Sequence, residues 1–411
     1  MKINKHCFPN GLRLVHYEDT STQMVALNIV YDVGARDDHP EHTGFAHLFE
    51  HLMFGGSAHI PDYDTPLQLA GGENNAWTNN DITNYYLTVP KPNVETAFWL
   101  ESDRMLELAF SEQSLEVQRG VVMEEFKQRC LNQPYGDVGH LFRPLAFRVH
   151  PYRWPTIGKE LSHIEQATLD EVKSFFYRFY APNNAVLAVT GNISWDETVK
   201  LTEKWFAPIP RRDVPVRQLP QEPEQTQERR LTVERNVPLD ALFMGYHMCS
   251  REGADYYAFD ILSDILSNGR SSRLNRRLVQ EQNIFSGIDA YISGTRDAGL
   301  LQISGKPAAG VSLEQAEAAV RKELEELQRS PVDGQELEKV KNKFESTQIF
   351  GNINYLNVAT NLAWFELTGK AEDIDLEVER YRSVTTEQLH TVAQRTFCES
   401  NAVVLYYKSD K

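Results

Sequence analysis

Apolar and polar residues alternate in a pattern that occurs twice along the chain. Met24–Tyr31 and Ala241–His247 are short, dense apolar runs with the length and β-branched character of strands. Each is followed by an apolar helix closed by glycine. In the first half this is Gly44-Phe-Ala-His-Leu-Phe-Glu-His-Leu-Met-Phe-Gly55-Gly56, and in the second Tyr257-Ala-Phe-Asp-Ile-Leu-Ser-Asp-Ile-Leu-Ser-Asn268-Gly269. Strand-like segments come next at residues 84–89 and 300–304. Ser312-Leu-Glu-Gln315 is a capping box that opens a helix with Leu313, Ala316, Val320, Leu324 and Leu327 on one face. Both halves close alike. Thr168-Leu-Asp-Glu leads to Asn184-Ala-Val-Leu-Ala-Val-Thr190, and Thr385-Thr-Glu-Gln leads to Asn401-Ala-Val-Val-Leu-Tyr-Tyr407.

Strand, helix, strands and helices, twice over, predict an α+β protein of two homologous domains, each an antiparallel-rich sheet packed with helices. Residues 207–230 hold five prolines and few apolar side chains, which predicts an extended, solvated linker. The expected domains are therefore residues 1–206 and 231–411. At 411 residues the chain is long enough for two cores.

Composition narrows the functional classes. The net charge of −16 argues against nucleic acid or an anionic membrane as partner, since both need a basic face. Cys7, Cys130, Cys249 and Cys398 are far apart and form no CxxC pair, so neither a disulfide framework nor a cysteine metal site is expected. No apolar run reaches the roughly 18 residues of a membrane span. The first residues hold no apolar signal segment, and the expected location is cytoplasmic.

The sharpest chemistry lies in His47-Leu-Phe-Glu50-His51. Positions i and i+4 of a helix share a face, so the two imidazoles can meet at one ion, with Glu50 beside them to accept a proton from water. Zinc suits two imidazoles, a carboxylate and an open position. HxxEH is the inverse of the HExxH order. Three polar groups on an otherwise apolar helix also need a partner to offset their burial. The third ligand must come from elsewhere. Residues 115–130 read as an amphipathic helix through Val121, Val122 and Phe126. Gln118, Val122 and Glu125 share a stripe at the edge of the buried face, while Glu124 points about 100° away. Spacing alone leaves both glutamates open.

These residues strongly resemble the pitrilysin and insulin-degrading enzyme family, and within it the short bacterial branch similar to mitochondrial processing peptidase. The resemblance runs over nearly the whole chain. Its most specific parts are residues 44–57, residues 71–85 with Asn75-Ala76-Trp-Thr78, Arg119-Gly-Val-Val-Met-Glu-Glu125, and His150-Pro-Tyr152 with Ile157-Gly158. It implies a zinc endopeptidase with one Zn²⁺ per chain, held by His47, His51 and Glu125, with Glu50 as catalytic base. It also implies a strand near residues 73–78 whose open edge pairs with a peptide substrate through Asn75, Ala76 and Thr78. The chain departs from the family pattern at two places. A glutamate that often stands seven residues before the third ligand is Gln118 here, which weakens the tuning of that ligand from behind. The Arg and Tyr that bind the substrate carbonyl align with Val279 and Ser286, leaving Arg273 and Tyr291 as nearby stand-ins. Long members of the family form a closed four-domain chamber. A chain of this length supplies half of that clamshell, so a second subunit is expected, either a related partner or another copy of this chain.

Overall fold

A computed structural model describes residues 1–410. The chain forms two compact units. The first holds a sheet of β1 (Asn4–Cys7), β2 (Arg13–Glu18), β3 (Met24–Tyr31), β4 (Glu73–Thr78), β5 (Thr83–Pro90) and β6 (Ala185–Gly191), ordered β1-β2-β6-β3-β5-β4. Only β2 and β6 run parallel. β3 and β6 are buried nearly end to end, because the sheet is covered on both faces. Val25, Leu27 and Ile29 of β3 point into one core, with Phe45, Leu48 and Phe49 of the Phe45–Leu52 helix and Phe176 of the Leu169–Phe179 helix. The intervening Ala26 and Val30 point the other way, against Val358, Ala359, Leu362 and Ala363 of the Tyr355–Thr368 helix. Alanines on both sides of that contact let helix and sheet approach closely. Asn28 shares this second face and is satisfied there. Its amide exchanges hydrogen bonds of 2.8 and 3.0 Å with Asn84, and its Oδ1 accepts from the Thr360 hydroxyl at 3.2 Å.

The second unit repeats the plan. Its sheet comprises β7 (Arg229–Arg235), β8 (Ala241–His247), β9 (Phe285–Ile292), β10 (Leu300–Pro307) and β11 (Ala402–Ser409), ordered β7-β11-β8-β10-β9. β7 and β11 run parallel, as β2 and β6 do. Removing β1 makes the two strand orders correspond one to one, so the repeated apolar pattern reflects a repeated topology. Met244, Tyr246 and Ile303 face Leu262, Val320 and Leu389 on one side. Val403, Leu405 and Leu300 face Phe142 and Ala146 of the Val138–Ala146 helix on the other.

These covering helices change the expected domain boundaries. Unit 1 comprises Met1–Leu131, Trp154–Pro220 and Ile349–Leu376; unit 2 comprises Asn132–Arg153, Gln221–Gln348 and the chain from Glu377. A single cut at residues 207–230 therefore misses the packing, because each half of the sequence lends a helix to the second face of the other half's sheet. The proline-rich segment is mostly exposed, forms no helix or strand before Arg229, and is anchored at intervals. Arg217 pairs with Asp37 at 2.6 Å within unit 1. In unit 2, Glu222 accepts the backbone N–H groups of Arg148, Val149 and His150 at 2.7, 2.9 and 3.1 Å, and β7 begins at Arg229. Among the described residues no helix is long and apolar enough to cross a membrane.

Candidate metal centre

The Phe45–Leu52 helix starts at Gly44, whose φ of +92° is left-handed. A Cβ there would lie 2.9 Å from the Ile157 carbonyl oxygen, so the position needs glycine on both counts. The Asp38 carboxylate accepts the Gly44 and Ala46 N–H groups at 2.7 and 3.0 Å, satisfying donors that the first helical turn leaves open. With the start pinned and Phe45, Leu48, Phe49 and Leu52 in the core, His47 and His51 come to lie one above the other. Their ring centroids are 5.0 Å apart.

Glu125 arrives on the Glu112–Phe126 helix, which Ser111 caps through the Ser114 N–H and which buries Leu115, Val122 and Phe126. Val121, placed on the apolar face by the sequence reading, is exposed, because it sits about 100° round the helix from Val122. Glu125 Oε2 lies 3.4 Å from His47 Nε2 and 3.3 Å from His51 Nε2. Glu124 faces solvent at 57% exposure, beside Lys127 and Gln128. Among the described residues, His47, His51 and Glu125 are the one group of three such side chains whose donor atoms all lie within 4.8 Å of one another.

This donor set fits zinc by atom type and by ionisation. Burial, with smaller opposing help from Glu125, pushes the His47 imidazole down to about 4, so it is a neutral base near pH 7. The hydrogen bond from His51 holds the Glu125 carboxyl below its ordinary range, so it is ionised. Neutral imidazole and carboxylate are the forms that bind a dication. His47 Nδ1 is buried without a hydrogen-bond partner, so the ring's polar engagement lies at Nε2, where the donors converge. Burial pushes the Glu50 carboxyl above its ordinary range, while the Thr78 hydroxyl and the His51 ring pull it back.

Thr78 belongs to β4, the edge strand of the first sheet, which pairs with β5 alone. The Ala76 N–H donates to the Asn75 side-chain oxygen at 2.8 Å rather than to β5, so this donor faces the open edge. Asn75, Ala76 and Thr78 thus lie on one strand beside Glu50. Gln118 shares the stripe of Glu125 two turns earlier and is half-buried near Gly55.

The remaining expected residues belong to unit 2. Arg273 is held by Glu336 at 2.7 Å, and Tyr291 is 48% exposed on edge strand β9. Val279 packs against the core and the Ser286 hydroxyl donates to the Lys306 carbonyl at 3.1 Å. On the Tyr256–Ser267 helix, Asp260, Ser263 and Asp264 take the places of the three motif residues, and the Asp260 carboxylate accepts from the Tyr381 hydroxyl. Sequence reading missed Arg129, whose Nη2 lies 2.9 Å from Glu125 Oε1. Its only sequence signal was the i+4 spacing from Glu125.

The profile of the insulinase family, peptidase family M16, matches residues 13–137, and the profile described as the peptidase M16 inactive domain matches residues 166–344. The zinc protease PqqE of Helicobacter pylori is 26% identical over 405 residues, covering 97% of this chain and 91% of that protein. The uncharacterized zinc protease YmxG of Bacillus subtilis is 24% identical over 406 residues, 98% of each chain. The crystal structure of a protease from Helicobacter pylori matches over 99% of both chains with a TM-score of 0.94 and 26% identity. Profiles of one family over both halves, and the same architecture end to end, place this chain in the insulinase (M16) family of peptidases.

Proposed function

We propose that this chain is a zinc-dependent endopeptidase acting on extended, unfolded peptides. The observation that carries the reading is the convergence of His47 Nε2, His51 Nε2 and Glu125 Oε2, with Glu50 on the same helix and an open strand edge beside it. His47, His51 and Glu125 would hold one zinc ion, which supplies polarisation of the scissile carbonyl and activation of water. Glu50 accepts the water proton and delivers it to the leaving amine. A carboxyl held above its ordinary range by burial is a stronger base for that task than a solvated one. β4 binds the peptide as an added strand: the Ala76 N–H exchanges the Asn75 side chain for a substrate carbonyl. Gln118, two turns before Glu125 on the same helix, carries no charge at the place where the family resemblance implies a glutamate. The inverted motif thus reads as an active peptidase site, in a chain expected to be cytoplasmic.

A second reading is favoured by unit 2. Val279 and Ser286 stand where the family resemblance implies Arg and Tyr, and Arg273 is already engaged by Glu336. Under this reading the chain is the zinc-bearing subunit of a heteromeric peptidase, and a related subunit supplies the missing donors. A homodimer using Arg273 and Tyr291 is the alternative assembly. Digestion of an unfolded peptide by the zinc-loaded chain tests the first reading. Cleavage that a chelator abolishes and zinc restores supports it; an inert chain with full zinc content moves the account to the second.

A further inference from the structure

Glu125 offers two oxygens, and the structure divides them. Oε2 faces the two imidazoles at 3.4 and 3.3 Å, and Oε1 faces the Arg129 guanidinium at 2.9 Å. Resting on the zinc reading above, we propose that Arg129 is a positioning residue that occupies Oε1 of Glu125, restricts this ligand to a single oxygen, and so keeps a coordination position open for water and substrate.

Three observations carry this. First, a carboxylate can bind a metal through one oxygen or both, and a catalytic zinc site needs a vacant position beyond its three protein ligands. A second oxygen from Glu125 would compete for that position. Guanidinium donors bond strongly to an ionised carboxylate and in a fixed direction, which makes Arg129 suited to hold one oxygen away.

Second, the backbone is irregular at this point. The helix ends at Phe126 and continues as a wide turn over Lys127–Leu131. Such i to i+5 turns are rare and cluster at functional sites. This one is anchored by Cys130, which packs with Phe126, Ile157 and Leu161. The anchored turn fixes the Cα of Arg129 relative to Glu125, so the guanidinium reaches the carboxylate from a defined base.

Third, stability does not account for the pair. Arg129 is 67% exposed, and an ion pair with one partner in solvent contributes little to stability. The direction it imposes on Glu125 is the consequence that matters.

Cobalt(II) tests this without relying on catalysis, because its visible absorption is intense in four-coordinate sites and weakens as coordination number rises. The cobalt-loaded full chain is compared as wild type, Arg129→Ala and Arg129→Lys, with thermal melts to show that each is folded. Expected is a loss of visible absorption in Arg129→Ala and near wild-type intensity in Arg129→Lys, whose charge still occupies Oε1. Arg129→Ala failing to hold cobalt while Arg129→Lys holds it also supports positioning. Wild-type and Arg129→Ala spectra that superimpose overturn the proposal, as does an Arg129→Lys spectrum as weak as that of Arg129→Ala. A wild-type chain that takes up no cobalt fails at the metal centre itself, a different failure from equal spectra.

Discussion

Glu125 Oε2 stands 3.3 Å from His51 Nε2, joining two helices whose sequences give no direct sign of one another. Neighbouring Glu124 faces solvent. Zinc affinity should therefore separate the two: Glu125→Gln is expected to weaken zinc binding at least about tenfold, and Glu124→Gln to leave it unchanged. Competition with a chromophoric chelator measures both. Equal losses would mean that the register of this helix at the site is misassigned.

Gly44 sets the start of the helix that carries both histidines. Gly44→Ala forces a side chain into left-handed backbone and against the Ile157 carbonyl. The backbone term alone costs about 1–2 kcal/mol. Urea denaturation should show a loss above that range, with zinc content falling alongside it. An unchanged midpoint would contradict the tight approach of residues 44 and 157.

In unit 2, burial favours the neutral form of Glu317, but hydrogen bonds from Arg230, Tyr406 and Arg321 outweigh it and hold the carboxyl at about 2. Arg230 Nη2 donates at 2.6 Å, Arg321 Nε at 2.7 Å and the Tyr406 hydroxyl at 2.5 Å. A depressed carboxyl stabilises the fold above its unfolded value near 4.5, and that contribution disappears as pH falls toward about 2. Glu317→Gln should therefore destabilise by on the order of 2 kcal/mol at pH 7, the difference from wild type shrinking below about pH 4.5. Urea midpoints at pH 7 and pH 3.5 read this directly. A deficit that grows on acidification would reverse the sign of the argument.

Much of this was legible in the chain, and the gaps have physical reasons. Met24–Tyr31 and Ala241–His247 are strands with the bounds read from the sequence, because dense apolar runs of that length fit a sheet covered on both faces. The Ser312 box caps its helix as read, since capping is local, and Thr168 caps the Leu169–Phe179 helix in the same way. The exchange of the Tyr355–Thr368 and Val138–Ala146 helices was not legible. Their apolar faces show that they pack, but a one-dimensional pattern does not say on which sheet. At the metal centre, periodicity put His47, Glu50 and His51 on one helix, and the choice between Glu124 and Glu125 came from family resemblance. Arg129 escaped because an exposed arginine four residues from a glutamate is an ordinary surface pair until the glutamate is seen to face two imidazoles.

Partnership is open to a sizing experiment. On the reading that a related subunit supplies the carbonyl-binding donors the resemblance implies at Val279 and Ser286, the isolated chain should turn over peptide roughly 10²–10³ slower than the complex. Size-exclusion chromatography with a peptidase assay of the chain, alone and with such a subunit, measures this. Full activity from a homodimer would remove the need for a different partner and direct mutation to Arg273 and Tyr291. Full activity from a monomer would contradict both assemblies.

The central claim is the division of labour within His47-Leu-Phe-Glu50-His51, and the most direct test measures zinc content and peptide cleavage in the same preparations of wild type, His47→Ala and Glu50→Gln, with the partner subunit present if activity requires it. The account predicts about one zinc per chain and cleavage in wild type, loss of both in His47→Ala, and wild-type zinc without cleavage in Glu50→Gln. A Glu50→Gln protein that cleaves peptide at the wild-type rate, or a His47→Ala protein that keeps its full zinc, would contradict it.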